Sequence, residues 1–513
     1  MLSKLFSAAA QGVEATPIEV EVDLAAGFPK ELLAGLPDAT VKESLHRIRA
    51  AMANADYAWP SNKRLTINLA PADLRKEGTF FDLPIALGVL AASEQMPGER
   101  LGEFLFAGEL ALDGRLRPIC GALLVALLAR SMGRKGVVVP PENAEEAAVV
   151  SQVEVYAPAT LADAVGFLNG AVTLPRVTVD VQALFEKEQR ENLLDLADVK
   201  GQEHVKRALT VAAAGGHNIL MVGPPGSGKS MIAKRVPGIL PPLTLEEAIE
   251  TTKVWSVAGE MKAHEPIKFH RPFRSPHHTV SYPGLVGGGV DPVPGEISLA
   301  HHGVLFLDEL PEFDRKAIES LRQPLEDRII TIARANAAAT FPANIMLVAA
   351  MNPCPCGHYG DTKKHCTCLD LQIQRYFGRI SGPVMDRIDL QVEVPHVPYD
   401  ELAAGRSGPT SAAVRAEVVK ARAVQQQRFA GTSVYCNAAM TERQVQDWCK
   451  PDREAEALLR DAVDTLGYSA RTYGRILKVA RTIADLEGGG PLTAAHVSEA
   501  LQYRTLDRQK KPY

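Results

Sequence analysis

Eight consecutive residues carry the strongest chemical signal: Gly223, Pro224, Pro225, Gly226, Ser227, Gly228, Lys229 and Ser230. They follow the apolar run NILMV and open a helical pattern. Glycines at this spacing let backbone N–H groups curl around an anion at a helix start, where the dipole favours negative charge. Lys229 adds a mobile positive charge for the β- and γ-phosphates, and the Ser230 hydroxyl suits a Mg²⁺ position. This is the complete Walker A pattern, and a chance glycine-rich turn does not account for all eight positions. ATP and Mg²⁺ are the cofactors it predicts.

About 80 residues downstream, VLFLDE (304–309) delivers two acids from an apolar strand. Asp308 suits the metal, and Glu309 suits polarisation of an attacking water. Acids after a strand are common at β–α turns, so the pair gains its meaning from the Walker A before it. A third apolar strand, LVAAMN, ends at Asn352, whose amide suits holding water against a γ-phosphate. An Asn there is ordinarily a turn residue.

Four of the seven cysteines are bunched as Cys354, Cys356, Cys366 and Cys368. Four thiolates in two close pairs suit tetrahedral Zn²⁺. The surrounding residues 353–369 are polar and glycine-bearing, so a metal supplies what a small apolar core cannot. His358 and His365 are spare ligands, and four ordinary thiols on a loop are the plainer reading. Cys120, Cys436 and Cys449 are scattered and expected to be buried.

The elements that must position these groups are legible in outline. Strand and helix patterns alternate through the first 170 or so residues: strands at 20–28 and 63–71, a helix at 41–55 with the stripe Val41, Leu45, Ile48 and Met52, and a hairpin turned at Asp113-Gly114. Buried strands alternate with helices from 199 to about 400, which implies a parallel sheet, and helical spacing dominates beyond 410. At 513 residues, roughly three domains are expected. The boundaries read 1–172, a linker at 173–198, 199–400 with the cysteine insertion at 353–369, and 401–513. Hydrophobic content of 46% and charged content of 23% fit a globular protein. No apolar run reaches the ~18 residues of a membrane span. The opening MLSKLFSAAAQGVE reads as a strand and loop and not a signal peptide, so a cytoplasmic location is expected. A net charge of -5 neither favours nor excludes DNA, since a ring grips it with pore loops alone.

The runs RPFRSPHHTVSYPGLVGGGVDPVPGEISLAHHGVLFLDELPEF, LRQPLEDRIITIARA, AAMNPCPCGHYGD, RISGPVMDRIDL and SARTYGRILKVARTIADLEG together resemble the magnesium-chelatase-like AAA+ family, in its YifB/ComM branch, over nearly the whole chain. The resemblance implies an α/β chain with an N-terminal Lon-protease-like (S5-type) domain, a central AAA+ parallel-sheet core and a C-terminal helical lid. It implies a homohexamer that couples ATP hydrolysis to movement on single-stranded, duplex or branched DNA, promoting branch migration. Arg387 in MDRID matches the arginine finger, with Arg379 as competitor, and Arg471 matches sensor 2. Any single Arg is more often a solvated surface charge. Residues 251–280 resemble the helix-2 insert, and 329–345 the hairpin before sensor 1 with Arg334 and Asn336 near its tip. Arg271, Arg274, His277 and His278 are divided evenly between phosphate contact and a rigid internal brace.

Active Lon-type proteases carry a Ser and a Lys where this sequence places its Thr79–Phe81 region and Leu123. No Lys occurs between Lys76 and Lys135, so the base is missing and a proteolytically inactive domain is expected. Three function classes therefore compete: a DNA translocase, a magnesium-chelatase-type motor acting on a protein or porphyrin partner, and an ATP-dependent protease, which the missing Lys disfavours.

Overall fold

The computed structural model describes residues 1–76, 78–188, 194–262, 265–289, 292–333, 338–361, 364–403 and 408–504. The chain forms two compact units. The first holds Met1–Glu188, to which Leu245–Phe269 and a short stretch ending at Phe341 return.

In the first unit, alternating side chains build a seven-stranded mixed sheet in the order Lys30–Ala34, Arg64–Ala70, Glu14–Ala25, Leu2–Gln11, Phe104–Phe106, Gly136–Val138, Glu154–Tyr156. Ile18, Val20, Val22 and Leu24 fall on one face of their strand and are buried, as a period of two requires. The helix Ala39–Asn54 starts where the Asp38 carboxylate accepts the Val41 N–H at 2.7 Å. Its Val41, Ile48 and Met52 are buried. Asp82–Ala92 is buried along its whole length, which is why its sequence shows no polar face. Phe81 and Leu123 are both in the core, so apolar packing fills the positions compared with a nucleophile and base. Cys120 departs from expectation. It is exposed, on the loop that leads into Ala122–Ser131.

The helix Leu245–Ala258 belongs to this first unit. Ser256 donates to the buried Glu146, and Gly121 N donates to Ser256 O at 3.2 Å. Part of the segment compared with a pore insert is thus anchored on the N-terminal fold, through contacts more than a hundred residues apart in sequence.

The second unit is built on a five-stranded parallel sheet in the order Phe273–Arg274, Val304–Leu307, Met346–Met351, Ile219–Val222, Leu390–Glu393. The three central strands are buried throughout, as their unbroken apolar runs require. Helices from Ser411–Arg428 to Ala494–Gln502 pack against this sheet in one apolar core. An α/β fold with a parallel sheet and a helical C-terminal part is what the sequence implied. Strands Ile329–Ala333 and Ala338–Pro342 flank residues 334–337; Arg334 and Asn336 lie outside the described residues. No helix among the described residues is long and apolar enough to cross a membrane.

Candidate nucleotide-binding site

In a parallel sheet the carboxyl ends of all strands open on one edge, where ligands characteristically sit. Strand Ile219–Val222 ends at Gly223, and a Cβ there would meet the Val394 carbonyl oxygen at 2.1 Å. Gly226 and Gly228 have φ of +77° and +91°, which side-chain-bearing residues rarely adopt. The helix Lys229–Ala233 begins immediately after. Lys229 Nζ donates to Gly223 O at 2.6 Å, Pro224 O at 2.9 Å and Asn352 Oδ1 at 3.3 Å. Burial lowers its pKa, against the charges of Asp308 and Glu309 that raise it. Ser227 Oγ is buried with no hydrogen-bond partner among the described residues, as befits a loop shaped for an oxyanion ligand.

The Ser230 hydroxyl donates to Asp308 Oδ2 at 2.6 Å, so both candidate Mg²⁺ ligands, hard oxygen donors, are adjacent. Glu309 has a φ of +52°, a left-handed backbone that is uncommon for a non-glycine residue. His278 Nδ1 lies 3.3 Å from its carboxylate. Of the RPFRSPHH residues, Arg271 donates to Pro241 O and His302 O, and Arg274 forms two bonds to Glu296. Both are internal braces. His277 contacts Thr279, and His278 faces Glu309.

The remaining arginines lie elsewhere. Leu390 pairs with Ile219 in parallel register, so Arg387, three residues earlier, sits at the amino end of the sheet, opposite the phosphate loop. Arg471 is in the first turn of Ala470–Leu486. Both line a cavity of about 790 Å³ together with Arg328, Arg475, Lys478 and Glu326. Arg387 donates to Pro383 O at 2.7 Å and pairs with Glu326, while its buried Nε has no partner among the described residues. Burial lowers its pKa, and the charges of Arg322, Arg471 and Arg475 add to the effect. Arg379 is half exposed and is tied to Glu312 at 2.7 Å, just past the Walker B strand. The structure thus brings Lys229, Ser230, Asp308, Glu309 and Asn352 together at one edge, and Arg387 with Arg471 at the other.

The four bunched cysteines converge: their Sγ atoms lie within 4.8 Å of one another. Cys354–Cys356, Cys356–Cys366 and Cys354–Cys366 are 3.3, 3.6 and 3.7 Å apart. Four thiolates on one Zn²⁺ at ~2.3 Å would stand about 3.8 Å apart, so the set fits. N–H groups of Thr367 and His358 pull the Cys356 thiol down to about 5. His358 is paired with Asp361, and the convergent group of this loop among the described residues consists of the four cysteines.

Several participants were invisible to spacing. Tyr376, its hydroxyl pushed up to about 12 chiefly by burial, takes the Asn352 N–H. Gln202 donates to both Ser227 O and Pro395 O, tying the phosphate loop to the neighbouring strand. Buried Asp389, in MDRID, would be raised by its burial, yet Arg475 and His217 hold it well below the carboxylate range. Only MDRID itself was a signal.

Comparison with known proteins fits this geometry. The description "Magnesium chelatase, subunit ChlI" matches residues 195–402, "Subunit ChlI of Mg-chelatase" matches 20–143, and "Magnesium chelatase, subunit ChlI C-terminal" matches 408–504. The chain is 49% identical to "Competence protein ComM" of Haemophilus influenzae, over 99% of this chain and 98% of that protein. This chain belongs to the ComM/YifB family of magnesium-chelatase-like AAA+ proteins. It is 44% identical to "Uncharacterized protein YifB" of Escherichia coli over 99% of this chain and 98% of that one. Beyond the family, "DNA replication licensing factor Mcm6" of Drosophila melanogaster is 24% identical over 37% of this chain and 21% of that protein. AAA+ membership brings ATPase chemistry with ATP and Mg²⁺, for which Walker A, Ser230 and Asp308 have the donors.

Proposed function

We propose that this chain is a hexameric, ring-forming ATPase that moves along DNA and promotes branch migration when incoming DNA is integrated during competence. The observation that carries this reading is the division of its ATP-handling residues between opposite edges of one sheet. Lys229, Asp308, Glu309 and Asn352 bind and activate at the carboxyl edge, and Arg387 and Arg471 complete the site of the next subunit from the amino edge. Hydrolysis then requires a ring, and a ring with a central opening is the form in which ATP turnover is coupled to a strand. The name of the competence relative and the likeness to a replication licensing factor point to DNA as the track. In this reading residues 1–172 form a proteolytically inactive tier, 199–400 the motor and 401–513 the lid, and one structural Zn²⁺ sits on Cys354, Cys356, Cys366 and Cys368.

A magnesium-chelatase-type motor is the second reading, favoured by the family descriptions. One assay separates the two and the protease reading as well: steady-state ATPase with single-stranded and branched DNA, with a porphyrin-bearing protein partner, and with casein. Stimulation by DNA alone is expected. Stimulation by the porphyrin-bearing partner and not by DNA overturns the translocase.

A further inference from the structure

The cysteine cluster is joined to the phosphate loop at three points. Cys354 follows Met351 by three residues and Asn352 by two, Met351 O accepts the Gly223 N–H at 3.2 Å, and Asn352 Oδ1 receives Lys229. The cysteine loop therefore grows directly from the strand tip that holds the Walker lysine. Gly357, one residue past Cys356, rests on the phosphate loop itself: a Cβ there would come within 2.5 Å of Pro225 Cδ and 2.7 Å of Cγ, and its φ is +82°. Third, Gly357, Tyr359 and Asp361 from the cysteine loop wall a cavity of about 420 Å³ with Gly223 and Pro224.

What shapes this turn is sulfur. Gly357 N donates to Cys354 O at 3.0 Å, Tyr359 N to Cys354 Sγ at 3.3 Å, and Cys356 N to Cys368 Sγ at 3.4 Å. Apolar burial contributes little, since Tyr359 is 47% and Leu369 69% exposed. A loop without its own core takes its folding free energy from the metal. Removing the ion leaves four crowded thiols with no common partner, and the turn under Pro225 loses its support.

We propose that Zn²⁺ at Cys354, Cys356, Cys366 and Cys368 is a brace for the Walker A loop, so that nucleotide affinity follows zinc occupancy. This rests on the zinc and ATP readings above and adds the coupling between them. The phosphate-binding N–H groups need their positions fixed, and the loss of one hydrogen bond to a charged phosphate costs about tenfold in affinity. Pro225 and Gly357 are the contact through which the brace acts.

The test uses the full chain from zinc-supplemented culture. Zinc content is measured by atomic absorption, and the affinity for a fluorescent ATP analogue with excess Mg²⁺ is measured as a high-affinity zinc chelator is added in steps. Wild-type protein should hold one zinc, lose nucleotide affinity about tenfold or more in step with zinc loss, and regain it on adding Zn²⁺ back. Gly357→Ala tests the contact without touching a ligand. It should keep its zinc and a cooperative thermal transition, lowered by the strain of a side chain at this φ, yet bind the analogue more weakly. Wild-type protein that holds no zinc when purified from the supplemented culture, before any chelator, and still binds the analogue overturns the zinc premise and the proposal with it. Zinc-loaded protein that never binds the analogue overturns the ATP reading. Unchanged affinity after complete zinc removal, or a Gly357→Ala variant with normal affinity, overturns the coupling alone.

Discussion

Lys229 is a buried ammonium whose neutralising neighbours among the described residues are carbonyl and amide oxygens and the more distant charges of Asp308 and Glu309. Burial holds its pKa below 10.5 in the free protein. A bound triphosphate adds negative charge beside it and raises that pKa again. Binding therefore takes up a proton at alkaline pH, and affinity is constant below the lowered pKa and falls as pH rises through it. Fluorescent-analogue titrations from neutral pH upward should show this decline beginning below the ordinary lysine value. An affinity that stays level up to pH 10.5 would remove Lys229 from the phosphate contact. Lys229 and its seven companions were legible because their chemistry is local: a phosphate loop is made by consecutive backbone N–H groups. Tyr376, Gln202 and Glu326 were not, because each acts on a residue that only the fold brings near. His278 was left between phosphate contact and a structural loop, since nothing in RPFRSPHH announces its neighbour Glu309.

At the scale of elements, the runs VLFL and LVAAM declared buried strands, while Phe273–Arg274, two half-buried residues at the sheet edge, had no pattern to show. The return of Leu245–Ala258 to the N-terminal unit was equally hidden, because Glu146 and Ser256 are buried polar partners without periodicity. The helix Arg322–Asp327 has a functional consequence. It carries Glu326, which holds the Arg387 guanidinium, although Glu326 itself is 54% exposed. In the proposed ring, a neighbour's γ-phosphate would compete with that carboxylate for Arg387. Glu326→Gln weakens the competitor and keeps the side chain's shape, so the basal ATPase of the assembled ring should rise. Arg387→Ala should bind nucleotide normally and lose about 10³-fold in turnover, the scale of an arginine finger. A Glu326→Gln ring with lower turnover and unchanged nucleotide affinity would make Glu326 a positioning residue that aims Arg387, and would refute its role as a restraint.

The whole molecule poses the question that a single chain leaves open, which is who completes whose site. The parallel register fixes Arg387 at the amino edge and Lys229 beyond the carboxyl edge of the same sheet, so a ring in which these edges meet pairs Lys229 of one subunit with Arg387 of the next. Heterologous contacts of this kind close into rings. Arg387→Ala and Lys229→Ala subunits are each expected to be inactive alone, for opposite reasons: one keeps a working phosphate loop and lacks the finger, the other the reverse. Mixed in equal amounts with free exchange, about one interface in four would unite the intact loop with the intact finger, by random neighbour choice around a head-to-tail ring. ATPase activity should therefore reappear on mixing, peak near equal proportions and stay below about a quarter of wild type if interfaces act independently. Arg387→Lys should recover little in place of the original, because a point charge lacks the planar fork that spans two phosphate oxygens. Exchange is verified by energy transfer between labelled subunits. If exchange is complete and no activity returns at any ratio, Arg387 serves its own nucleotide or Arg379, beside Glu312, is the finger.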